Sequence, residues 1–443
     1  MLKSVKVKNF LFIAAAVFIL FAYSRRSWGN FISSNIWTMS LVAAMALLMV
    51  IIVKVRPITA DRTLCLMVLM TGIFLINNHD VSHYGLAPAL DIWIYVLLLY
   101  AVLSKDTVWV PRIMLLLTTI SAFYSIMTFI CCINTNFYYN VVYPAVRAFG
   151  SSWFISHPSA GITSDYSING CYMAIGVCTS LPVIIGREDI ENKAAKLFYT
   201  VCFALCGAGM LMSGKRALLI GVVLAFLVAY FNYTSGKTKN RFFKLLVGFS
   251  VVFVFLLILS HFIPTVNYMF ERFSGEGYGE AANNERLKYW EYAWKHFQER
   301  PIFGHGWRWF RYNNHFRDMP NDVHCTLLQL LLETGIVGTV VFFAFFIRAL
   351  KRTIQVSRFM VKNKEMFTYT DISGVYFSLI FQVYFMNIIE IGSGFYSDTH
   401  LITYFMCCAI TEYYYKLLAR EEMEREMETS VSKDSFHSSP VAI

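Results

Sequence analysis

Three basic residues that lie far apart in this 443-residue chain, Arg216, Arg286 and His324, are of types that could do chemistry together. Arg216 follows Lys215 in the string MSGKRALLIG, where only residues 213–216 separate two apolar runs. Two cations in so short a turn sit at a membrane boundary, on the side that orientation bias leaves poor in positive charge. Charges kept there either face a cavity or an anionic ligand, or snorkel to lipid phosphate. Arg286 opens the stretch NNERLKYWEYAWKHFQERP, in which Leu287, Trp290, Trp294 and Phe297 recur at helical spacing. Asn283 or Asn284 can cap this helix and Pro301 can stop it, which predicts an amphipathic surface helix with Arg286 in its first turn. His324 is expected in the first turn of a helix starting NDVHCTLLQLLLETGIVG, capped by Asn321 or Asp322. Helix-terminal amides disfavour imidazolium there, so this histidine should stay neutral and able to act as a base.

Each residue also has a plainer reading. Arg286 could be a solvated or headgroup-contacting charge, and His324 an interfacial polar residue. Glu333, nine residues past His324 and so roughly 13 Å deeper along a continuous helix, is a second costly charge, suited to pair with a buried base or fill a polar groove. Between the two helices, PIFGHGWRWFRYNNHF turns at Gly304 and Gly306 and then alternates aromatics with arginines, as either an interfacial belt or a sugar-stacking surface would. Taken together, two guanidinium forks could hold a pyrophosphate through bidentate hydrogen bonds while a neutral imidazole serves as base. No paired aspartates suggest a divalent site, so the expectation is a transferase with no metal and no cofactor.

The elements that must position these groups are membrane helices. The chain is 57% hydrophobic and only 15% charged, against roughly 25% charged in soluble proteins, and its mean hydropathy is +0.52. Apolar runs bounded by charges or turns predict about twelve spans: 9–23, 36–53, 62–77, 89–103, 113–133, 168–186, 197–213, 216–233, 245–263, 325–347, 372–391 and 399–416. The expected fold is therefore all-α and polytopic, with residues 1–263 and 324–416 in the membrane bundle. Residues 264–323 would form a long outer loop between the ninth and tenth spans, carrying short helices. Residues 417–443 would form a cytoplasmic tail, a short helix fraying into disorder.

The net charge of +10 could suggest nucleic acid, but the cations cluster beside apolar runs and orientation explains them better. With the N-terminus cytoplasmic, 25 of the 38 Lys and Arg fall in inner segments, about five in short outer ones and eight in the long loop. Both termini are then cytoplasmic. The first apolar run resembles a signal peptide but lacks a small-residue cleavage site, and is expected to be a retained span. Nine of the ten cysteines sit inside apolar stretches without a CxxC pair, which disfavours a disulfide or zinc framework. A transporter or flippase is the competing class, yet no internal repeat is visible and the long loop does not halve the chain.

The strings SGKRALLIG, RLKYW, PIFGHGWRWF and HCTLLQLLLETGIVG, in that order, resemble the O-antigen ligase and O-antigen polymerase family of bacterial envelope enzymes. The resemblance covers residues 211–346, with Lys215 where a smaller residue is common and Cys325 where Asn is usual. It implies inverting glycosyl transfer at the outer face of the bacterial inner membrane, from a polyprenyl-pyrophosphate-linked glycan to a glycan or lipid-linked acceptor. Arg216 and Arg286 would bind the donor pyrophosphate, with Lys215 and Glu333 also in contact with substrate. His324 would take or orient the acceptor proton. Polymerase and ligase both remain open, in O-antigen, capsule or exopolysaccharide synthesis.

Overall fold

The computed structural model describes residues 39, 42–50, 61–73, 76, 86–149, 157–163, 165–185, 193–233, 241–262, 267, 270, 278–313, 322–391 and 398–437. The first expected span, 9–23, lies outside them, and residues 42–50 of the second are helical. Among the described residues there is no strand. The principal helices are α1 (Arg62–Ile73), α2 (Leu86–Leu103), α3 (Val110–Ile133), α4 (Tyr166–Ile185), α5 (Lys193–Met212), α6 (Arg216–Tyr233) and α7 (Arg241–Ser260). They are followed by α8 (Tyr278–Glu299), α9 (Trp309–Asn313), α10 (Thr326–Lys362), α11 (Tyr369–Ile391) and α12 (Asp398–His437). Among the described residues four helices, α3, α4, α5 and α10, are long and apolar enough to cross a membrane, and shorter apolar helices lie at Arg62–Ile73, Trp93–Leu103 and Ala217–Tyr233.

The packing of α3 shows why such helices need lipid. Its buried positions include Thr118, Ser121, Ser125 and Thr128, whereas Leu115, Phe123, Ile126 and Ile130 are exposed. Small hydroxyl residues let helices approach closely and satisfy themselves locally: Ser125 donates to the Ser121 carbonyl and Thr128 to the Tyr124 carbonyl, and Thr118 meets Thr179 of α4 at 2.7 Å. With polar atoms inside and large apolar groups outside, this pattern inverts that of a water-soluble bundle. Aromatic rings fill the centre of the second half of the chain, where Trp93 packs edge-on to Phe342 and Phe405, and Phe385 lies 4.6 Å from Tyr404. All ten cysteines are free thiols.

Cross-helix bonds fix which helix ends lie together. Tyr376 of α11 donates to Asn232 near the end of α6, and Lys364 just past α10 donates to Tyr233. Tyr414 of α12 donates to Asp371 at the start of α11 and to Thr107, between α2 and α3. Lys416 pairs with Asp61 before α1, and Tyr369 donates to the Val183 carbonyl near the end of α4. These contacts form one end of the bundle, termed the far end. The starts of α4, α6, α10 and α12 and the ends of α3, α5 and α11 therefore share the opposite end, termed the site end. The short helix expected in the tail runs on from the last apolar run without interruption: α12 continues to His437, since the Glu/Met/Arg-rich sequence beyond the bundle holds strong helix formers. The tenth apolar run belongs to a 37-residue helix, Thr326–Lys362, that is broken near its start.

Candidate functional site

The break in α10 organises the site. Gly335 has φ 66° and ψ −171°, which no right-handed helix accommodates, so the helix divides into residues 326–334 and 336–362. In an unbroken helix the amides of Ile336 and Val337 would bond the carbonyls of Leu332 and Glu333. Here the segment 301–306 enters between them. His305 N–H donates to Leu332 O at 2.8 Å and Gly306 N–H to Glu333 O at 2.9 Å, while Ile336 N–H donates to Pro301 O and Val337 N–H to Ile302 O. Both halves are satisfied, as backbone in an apolar setting requires. Such backbone-to-backbone contact leaves no room for side chains at its crossing points. A Cβ on Gly304, itself at φ +70°, would stand 2.5 Å from the Glu333 carbonyl carbon, and one on Gly335 would overlap the Ile302 carbonyl. The PxxGxG turn and the ETG sequence, 29 residues apart at Gly306 and Gly335, are thus two sides of one joint.

Upstream of this joint, α8 packs on the start of α10. The helix begins at Tyr278, earlier than a cap at Asn283 or Asn284 predicts, because EAANNE continues helix-compatible sequence toward the N-terminus. Arg286 is consequently in the third turn, not the first. The buried face also differs from expectation. Tyr289, Ala293 and Phe297, spaced by four, are buried, while Leu287, Trp290 and Trp294 are exposed. Tyr289, Ala293, Phe310, Val323, Cys325 and Leu332 form a small separate core. Helix α8 ends at Glu299, two residues before Pro301, as expected.

His324 lies outside the helix it was expected to begin. The first helical residue is Thr326, the N-cap is Cys325 in an extended conformation without a side-chain cap bond, and His324 precedes it at φ 57°. Asp322 faces Arg311 at 3.7 Å instead of capping, and Asn321 is outside the described residues. The position beyond the cap weakens the helix-terminus argument for a neutral imidazole, since the dipole's influence is confined to the first turn. His324 is held instead by α8: its ring stacks on Tyr289 with centroids 6.2 Å apart and planes 28° from parallel, and Trp290 Nε1–H donates to the neighbouring Val323 carbonyl at 3.2 Å.

Arg286 precedes Tyr289 by three positions and so shares its face of α8. It is half-buried, and among the described residues it has no hydrogen-bond or ion-pair partner. Arg286 therefore shares a helix face with the tyrosine on which His324 stacks. Lys215 caps the start of α6 with its Nζ 5.7 Å from the centre of the Tyr166 ring. Arg216 is the first residue of α6, at the site end; its side chain lies outside the described residues. Glu333 is buried in the last turn before the break, where Gln329 Nε2 donates to its carboxylate at 3.3 Å.

Residues without an advance signal join this region. Tyr289 has only its i+3 spacing from Arg286 to mark it. Arg308 is, with His324, one of two non-glycine residues in the left-handed region among the described residues, a conformation found disproportionately at functional sites. Tyr292 stacks on Trp309 and donates to the Asn313 carbonyl. His305 donates from Nε2 to the His296 carbonyl at 2.7 Å, and burial pushes its pKa below the ordinary histidine value.

Among the described residues, an all-helical bundle with helices long and apolar enough to cross a membrane and a docked amphipathic helix define the class of polytopic helical membrane proteins. A family model described as O-antigen ligase matches residues 201–343, which run from α5 through the break in α10 and contain Arg216, Arg286, His324 and Glu333. Over that stretch the chain is similar to the family that its sequence strings resemble. The match supports a glycosyl-transferring enzyme of a bacterial membrane that acts on lipid-linked glycans. No curated protein matches the chain.

Proposed function

We propose that the protein is an integral-membrane glycosyltransferase that polymerises or ligates polyprenyl-pyrophosphate-linked glycan units in O-antigen, capsule or exopolysaccharide synthesis. In this reading Arg216 and Arg286 grip the donor pyrophosphate, Lys215 adds positive potential at the turn, and Glu333 lines the polar floor below. His324 accepts the proton of the acceptor hydroxyl. The hydroxyl oxygen bonds the anomeric carbon from the face opposite the leaving group, the carbon–oxygen bond to pyrophosphate breaks, and configuration inverts. The arginines meet the charge that develops on the departing pyrophosphate, so no metal is needed. What supports this reading is the stacking of His324 on Tyr289, which follows Arg286 by three residues on α8, at the end of the bundle where α6 starts with Arg216.

The reading includes twelve spans in the bacterial inner membrane with both termini cytoplasmic, the far end inside and residues 264–323 outside. The excess of Lys and Arg in the segments assigned to the far end supports it. Replacing Arg216, Arg286 or His324 by Ala should each lower product formation by about a hundredfold or more while the protein stays folded in membranes. Undiminished synthesis by all three variants would remove the mechanism. Activity should also survive EDTA; loss on chelation that Mg²⁺ restores contradicts the metal-free step.

One observation favours the alternative of a polysaccharide or lipid-linked-oligosaccharide transporter, because discontinuous helices are characteristic of transporters. The break at Gly335, however, is filled by segment 301–306, whose backbone takes up the freed groups. Cysteine labelling of positions 275–320 separates the readings: the enzyme holds this segment outside throughout turnover, whereas a transporter exposes it alternately.

A further inference from the structure

Helix α8 presents three sectors. At about 100° per residue, Tyr289, Ala293 and Phe297 form the buried sector and Lys288, Glu291, Lys295 and Gln298 form an exposed polar one. Between them lies a third sector, exposed but apolar, made by Leu287, Trp290 and Trp294. Leu287 is 57% exposed and Trp294 48%, against 2% for Tyr289, so the stripe is not an edge of the core.

The stripe does not stand alone. Past the end of α8 come Ile302 and Phe303, both exposed, and the Ile302 carbonyl accepts from Val337 in the second half of α10. From that bond the exposed apolar surface continues down α10 through Ile336, Val337, Val340 and Ile347. Helix α10 is one of the helices apolar enough to cross a membrane, so this surface is its lipid face. Backbone hydrogen bonds thus tie the exposed apolar turn that follows α8 to the lipid face of α10, on the helix-end side toward which the third sector runs.

We infer that the occupant of the Leu287–Trp290–Trp294 face is the lipid bilayer itself, and that α8 lies along the membrane boundary with its tryptophans at headgroup level and Lys288, Glu291 and Lys295 turned to water. Indole rings favour that depth, and an amphipathic helix with lysines on its polar side is suited to it. Trp290 links the contact to the site, because the same indole donates to the Val323 carbonyl beside His324. A lipid-linked substrate would then reach Arg286 sideways from the bilayer; that consequence rests on the proposed transfer reaction, whereas the lipid contact does not.

The test is photo-crosslinking of the full-length protein in liposomes containing radiolabelled phospholipid, with benzoylphenylalanine at position 287, 294, 291 or 295. All four positions are on the surface of α8, so the fold is kept. Positions 287 and 294 should form labelled phospholipid adducts and 291 and 295 should not. Adducts from 287 and 294 to a second copy of the chain, or no adduct above that of 291 and 295, overturn the inference. Because the readout is an adduct and not product, it can fail while the Arg286 and His324 variants still lose synthesis, and it can succeed while they keep it.

Discussion

The two ends of the bundle are built on opposite principles. At the far end several charges partner one another: Arg352 bonds Glu412 and Thr63 and covers the Tyr415 ring, Thr63 donates to Glu412, and Lys416 pairs with Asp61. At the site end lie all the described residues with left-handed backbone, namely Gly161, Gly214, Gly304, Gly306, Arg308, His324 and Gly335. The far end is regular helix closed by ion pairs. The site end holds strained turns, a broken helix and an arginine with no partner among the described residues. Of the left-handed residues only Arg308 and His324 carry a side chain at positive φ, so the backbone strain among the described residues lies where the candidate site does.

The sharpest way to break this comparison is to change a joint glycine. Gly335→Ala or Gly304→Ala forces a Cβ into backbone at a left-handed φ, and should cost about 3 kcal/mol or more and free segment 301–306. Thermal unfolding and protease sensitivity at that segment measure it; a wild-type melting curve would mean that the two strings do not meet. Next in size is Glu412→Ala at the far end, which leaves Arg352 without its buried partner at a cost of about 3 kcal/mol. Synthesis per folded molecule should be unchanged, and a parallel fall in turnover would show that the ends are not independent. At the site end, Tyr289→Leu should lower turnover about tenfold by releasing His324, while Tyr289→Phe keeps the ring and the rate. Equal rates from both variants would deny the tyrosine its supporting role.

The smallest effect concerns pH. Burial lowers the pKa of His305, so its docked form is neutral. The stability this contributes is complete above the unfolded value of about 6.5 and is lost as pH falls through the folded value. His305→Gln keeps a donor for the His296 carbonyl without titrating, and should flatten the fall in melting temperature between about pH 8 and pH 5 relative to wild type. An unchanged slope would assign the acid sensitivity to another group.

The sequence by itself determined the medium and the alternation. Apolar runs long enough for lipid, broken by charges, fixed where helices form because 3.6-residue periodicity and hydropathy are local properties. The ordered strings around Arg216, Arg286, PIFGHG and His324 also carried the resemblance to the family whose model matches residues 201–343. Several features were decided only by tertiary structure. The buried face of α8 is Tyr289–Ala293–Phe297 and not the equally apolar Leu287–Trp290–Trp294 stripe, since both have helical spacing and only the partner surface chooses between them. His324 sits ahead of its helix because Cys325 takes the cap in extended form, a choice made by docking on α8. The gap at Gly335 and the turn at Gly304 read separately as loose spots in the chain. They become one rigid joint only when folding brings two backbones close enough that neither tolerates a side chain.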